Sequence, residues 1–105
     1  MKVIVIRPYQ QPTVEEIDNT LKAMQAVVEG YIEAIYPWDD EIALICNEVG
    51  KLMDLPPNRN LLNEDGEIID YIAGTFFLCG APIDSENFAS IPDELTDKYI
   101  KIFEF

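Results

Sequence analysis

The sequence predicts an α+β fold: a single domain over residues 1–105, with a mixed or antiparallel sheet of about five strands and two helices packed on it. Three observations predict it. Short β-branched and aromatic runs outnumber helical stripes. Turn signals of hairpin length separate most of these runs. Only two segments carry a 3.6-residue apolar repeat. At 105 residues, folding buries roughly 65% of the unfolded chain's surface, enough for a core without staples. An apolar fraction of 49% suits a globular chain rather than a disordered one.

The elements follow in order. Val3 to Ile6 is a β-branched run closed by Arg7-Pro8. Tyr9-Gln10-Gln11-Pro12 has hairpin length and leads to an alternating strand, Val14 to Ile17. A helix follows, with Asp18 or Asn19 as cap and Leu21, Met24, Val27 and Val28 on one face. Gly30 is placed to end it. Tyr31 to Tyr36 reads as a strand stopped by Pro37. Ile42 to Cys46 is apolar throughout, as in a central strand covered on at least one face. Asn60-Leu61-Leu62 and Glu67-Ile68-Ile69 flank an Asp65-Gly66 turn, a hairpin signal. Thr75 to Cys79 is a second buried strand between glycines. The tail is a helix with a Ser90–Asp93 capping box and an apolar stripe of Ile91, Leu95, Tyr99, Ile102 and Phe103.

Charge narrows the partners. The chain has 20 acids against 7 bases, for a net charge of −13. Eleven of the acids and only two of the bases fall in residues 29–70. Such a chain repels nucleic acid and anionic membrane and attracts basic proteins. No apolar run spans a bilayer, and Lys2 is followed by too short an apolar run for a signal peptide, so the expected compartment is the cytoplasm.

The catalytic options are few. There is no histidine, so the commonest general base is missing. Cys46 and Cys79 sit in apolar runs and read as buried, reduced thiols. Asp39-Asp40-Glu41 and Glu64-Asp65-Gly66-Glu67 are dense in acid. A calcium loop fails in the second, because Leu61 and Ile72 would occupy its first and twelfth positions. No phosphate loop, metal site or cofactor motif is present, and no catalytic residue is assigned. Trp38 stands in a Pro-Trp-Asp-Asp turn. It reads as a partner-binding anchor beside Asp39, Asp40 and Glu41, or as a lid over the core edge.

The stretch Cys46 to Arg59 holds a glycine, a double proline and both bases of residues 29–70. Gly50 can take a positive φ in a turn, and Leu55-Pro56-Pro57 must be extended. Asn47, Asn58 and Arg59 are either structural clamps or groups that face a ligand. Gly30-Tyr31-Ile32-Glu33-Ala34, Cys46-Asn47-Glu48, Gly50-Lys51-Leu52, Leu55-Pro56, Asn58-Arg59, Asp65-Gly66-Glu67-Ile68 and Ala73-Gly74-Thr75-Phe76-Phe77 occur in an order and spacing that resembles the bacterial family called domain of unknown function 3846. The resemblance covers nearly the whole chain. It would place Phe at position 38 and Gly at position 54, where this chain has Trp38 and Asp54. It implies an origin in gut bacteria, their phages or conjugative elements, and brings no established activity and no catalytic residues. The functions expected are a protein-binding module for a basic partner, in part imitating DNA; a structural accessory domain; or a small-molecule binder or enzyme built on Asn47, Asn58 and Arg59.

Overall fold

Every strand pairing in the computed structural model, which describes residues 1–105, is antiparallel. The elements are β1 (Lys2–Ile6), β2 (Thr13–Glu16), α1 (Leu21–Val28), β3 (Ile32–Ile35), β4 (Ile42–Asn47), β5 (Pro57–Leu62), β6 (Ile68–Ala73), β7 (Phe76–Gly80) and α2 (Asp93–Ile102). The fold class is α+β, as the sequence predicts. The sheet is antiparallel rather than mixed, with order β2-β1-β7-β4-β3. One expectation is corrected: β5 and β6 form a separate two-stranded sheet. Their hairpin lies over one face of the larger sheet, where Leu61 and Ile72 enter its core.

Period-two alternation divides the central strands between two cores. Ile4, Ile6, Ile42, Leu44, Phe76 and Leu78 face the hairpin and α2. Val3, Val5, Ala43, Ile45, Phe77 and Cys79 face Met24 and Val28 of α1. Both faces of β1, β4 and β7 are therefore dry from Val3 to Ile6, Ile42 to Cys46 and Phe76 to Cys79, and these runs are apolar without a break. Cys46 and Cys79 are buried and unbridged.

The helix ends differ from the sequence reading. Thr20, not Asp18 or Asn19, caps α1, its hydroxyl accepting from the Ala23 amide at 3.1 Å. Glu29, not Gly30, takes the left-handed turn, at φ 62°. Gly30 is needed for space: a Cβ there would stand 2.6 Å from Nδ2 of Asn47. That amide donates to the carbonyl of Val28 at 3.1 Å and of Glu29 at 3.4 Å, satisfying the helix end from β4. At α2 the capping box does not form. Ser90 accepts instead from the Lys2 amide at 2.8 Å, stitching the segment before α2 to β1. Pro92 holds the cap position with no side-chain bond, and Asp93 and Glu94 in the first turn suit the helix dipole. Ile102 points outward, outside the expected stripe.

Candidate functional site

A groove of about 460 Å³ opens along the β3 flank of the molecule, within the range of small-ligand and peptide clefts. Glu33 and Ile35 of β3 and Cys46 of β4 form one wall. Residues 70–73 of β6 form the other, and the turn after β4 closes one end. The turn is fixed by local chemistry. Asn47 accepts the Val49 amide at 2.9 Å through its side chain, and the Leu55 amide reaches back to the Gly50 carbonyl at 3.1 Å. Gly50 does not take a positive φ; it is small because a Cβ would meet the Ala73 carbonyl oxygen at 2.7 Å. The left-handed residue of this turn is Asp54, at φ 55°.

The groove is acidic. Glu33, Glu48 and Asp70 line it against a single amine, Lys51. Lys51 is already engaged: its Nζ lies 2.5 Å from Asp70 Oδ1 and 4.5 Å from the Tyr71 ring centre. Lys51, and then the Tyr71 amide, hold the Asp70 carboxyl below the usual carboxylate range. Cys46 donates to Glu33 Oε1 at 3.8 Å. Burial first, then the Glu33 charge, push its thiol up to about 11. It stays protonated near neutrality and offers no thiolate nucleophile. Val49 and Leu52 lie exposed at the mouth.

The structure distributes the residues singled out by sequence. Trp38 is a half-buried lid rather than an exposed anchor. Its ring centre stands 5.0 Å from Tyr99 and 5.9 Å from Phe103, and its Nε1 donates to the Leu62 carbonyl at 3.1 Å. The acids beside it fasten loops. The Asp39 amide donates to Glu64 Oε1 at 2.6 Å. Asp40 Oδ2 accepts from Lys98 and from the Tyr99 hydroxyl, each at 2.7 Å, and Lys98 followed by Tyr99 holds this carboxyl below its usual range. Glu41 Oε1 accepts the Ile83 amide at 2.7 Å. Of the three carboxylates, only that of Asp39 is left exposed and without a partner.

Asn47, Asn58 and Arg59 do not share a cavity. Asn47 touches the groove, while Asn58 and Arg59 border an open hollow around Pro57, Asn60 and Tyr71. Asn58 donates to the carbonyls of Ile6 at 2.8 Å and Gly74 at 2.9 Å. Arg59 donates to Phe103 O at 3.0 Å, Gln10 O at 2.6 Å and Asn58 Oδ1 at 2.7 Å. All three hold backbone groups, and Arg59 also donates to Asn58. The residues missed by sequence are Glu33, Glu48, Lys51 and Asp70. A glutamate inside the apolar run from Tyr31 to Tyr36 was the available signal, since it marks a position where that strand's face is not sealed.

The family profile described as Domain of unknown function (DUF3846) matches residues 1–104. The chain belongs to that family. Within this DUF3846 domain the blocks that carry the likeness are largely the turn after β4, the β5–β6 hairpin and the entry to β7. They build the groove's end wall and one of its sides. Neither the curated proteins nor the solved structures give a match. No three acidic or cysteine side chains stand close enough to hold a metal ion. No helix is long and apolar enough to cross a membrane.

Proposed function

We propose that this domain is a protein-binding module that docks a basic partner on the β3 flank, in the mobile-element or phage setting that the family resemblance implies. The observation that carries this reading is the groove itself: three carboxylates, one amine already paired, and an apolar rim. Exposed aromatic and apolar side chains supply contact area, while unpaired carboxylates select a cationic partner and steer its approach.

Averaged over the surface, the charge is far sparser than that of DNA. The accessible surface is 6172 Å², so a net charge of −13 averages one charge per about 475 Å². Duplex DNA carries about one per 100 Å². The likeness needs local clustering, and the groove gathers three carboxylates against one amine that is already paired. The small-molecule or enzyme reading loses its support, because Asn47, Asn58 and Arg59 line no common cavity and each is engaged with backbone carbonyls, Arg59 also with Asn58.

The test is binding to a panel of purified basic proteins at low salt. The native protein is compared with the pair Glu33→Gln and Glu48→Gln and with a control pair, Asp18→Asn and Asp97→Asn. The groove pair should weaken capture and the control pair should not, although both remove the same charge. Capture of no basic protein, or equal loss from both pairs, would overturn the reading.

A further inference from the structure

We propose that the free edge of β3 takes up an extended lysine- or arginine-bearing segment of a partner protein as a sixth strand of the sheet. This rests on the binding-module reading and specifies its mode.

The backbone supplies the first argument. The Glu48 amide donates to the Tyr31 carbonyl at 2.9 Å, which makes Tyr31 and Glu48 a hydrogen-bonded pair. In the observed register Glu33 lies opposite Cys46 and Ile35 opposite Leu44. Antiparallel pairs alternate, so the amides and carbonyls of residues 31, 33 and 35 point toward β4. Those of Ile32 and Ala34 point outward, and no hydrogen bond outside the ladder uses them.

Open edges invite pairing, and most are guarded. The opposite edge, β2, follows Pro12 and carries Glu15, which is bound to Arg7 at 2.6 Å. On β6 the Tyr71 amide is taken by Asp70 Oδ1 at 2.8 Å. The β3 edge has no proline, bulge or lysine within it. Exposed tyrosines bracket it instead, Tyr31 at 73% and Tyr36 at 62% exposure.

The groove then selects the occupant. In an added strand, alternate side chains would fall on the groove face beside Glu33 and Ile35, opposite Asp70 and near Glu48. Three carboxylates there, with only Lys51 to offset them, call for a cation. The intervening side chains would extend the face formed by Ile32 and Ala34, which packs with α1, and call for apolar groups. A second copy is the wrong partner. Two β3 edges would bring Glu33 toward Glu33 between chains of net charge −13 each.

The probe is a short capped peptide alternating lysine and valine. The controls are its glutamate–valine counterpart and a version N-methylated at every second residue, which cannot donate along one edge. The readout is amide exchange and chemical shift, residue by residue. The lysine peptide should protect the Ile32 and Ala34 amides. N-methylation should weaken binding at least about tenfold, as loss of ladder bonds predicts. Raising salt from about 0.1 M to about 1 M should weaken it further. Ala34→Pro, which removes an outward amide from an edge strand, should abolish binding while the rest of the spectrum is kept. Equal binding of the methylated peptide, absence of peptide binding, protection elsewhere with Ile32 and Ala34 still exchanging, or a β3-mediated dimer in sedimentation would each overturn the proposal. Basic proteins still captured by Ala34→Pro would overturn this mode and leave the binding-module reading standing; loss of all capture by the native protein would remove both.

Discussion

At Arg59 one guanidinium joins three segments remote in sequence: the β1–β2 loop at Gln10, the hairpin at Asn58, and the chain end at Phe103. Its carbon also lies 5.1 Å from the Phe105 ring centre. Arg59→Ala should destabilise by about 1–3 kcal/mol, because the carbonyls lose their donor. Arg59→Lys should recover only part of this, lacking the planar fork. Thermal melts of the three proteins check it, at about 4–8 °C per kcal/mol. Asp54 gives the opposite sign. Its φ of 55° strains any residue with a Cβ, and the family resemblance expects glycine there. Asp54→Gly should raise stability by about 0.5–1 kcal/mol, read as a higher urea midpoint at unchanged slope. The sequence made Arg59 and Asp54 visible as unusual, but which carbonyls the arginine holds is a matter of tertiary placement.

Elements with strong local signals were the most legible. The two buried strands, the Asp65-Gly66 hairpin with Gly66 at φ 80°, and both helices lie where periodicity and turn chemistry put them. The misreadings share a cause: a side chain with a local use was taken by a distant partner. Ser90 serves β1 rather than α2, and Gly30 makes room for Asn47 rather than turning the chain. That β5 and β6 stand apart as their own sheet was not legible, because pairing order between elements leaves no mark on periodicity. Gly80 tests the element contacts. It bridges to Ala89, and a Cβ there would lie 2.4 Å from the Ser90 carbonyl oxygen, which is backbone and cannot swing aside. Gly80→Ala should cost about 1–3 kcal/mol by overpacking, and hydrogen exchange should rise first at the amides of Ala89 and Ile91.

The molecule as a whole carries a pH dependence that its interior sets. Burial pushes the Cys79 thiol up to about 12, and burial with Glu33 pushes Cys46 to about 11, from an ordinary value of 9.0. Burial and then Asp40 raise the Tyr99 hydroxyl as well. Each of these groups is held neutral in the folded state. Their contribution is complete below the unfolded pKa. It is lost as pH rises from about 9 toward the folded values, because only the unfolded chain can ionise freely. Melting temperature should therefore fall between pH 9 and 12, and Cys79→Ala should flatten part of that fall. Labelling of both thiols should be slow in native protein and fast in denaturant. The site was legible in part. Excess acid in residues 29–70 was plain, and the meeting of Glu33, Glu48 and Asp70 in one groove was not, since it depends on β6 lying beside β3.

The strand order β2-β1-β7-β4-β3 also has a consequence for synthesis. The two outer hairpins, β1–β2 and β3–β4, are complete early in translation, yet neither pairs with the other. β7 is the keystone between them, and it emerges only when residues 76–80 do. Until then Ile4, Ile6, Ile42, Leu44 and their neighbours have no common core to enter. The nascent chain thus carries two apolar ribbons with open inner edges, the state in which chaperones bind and aggregates begin. A stalled chain ending before Phe76 should be insoluble rather than partly folded, and the complete chain should gain its structure in one late step.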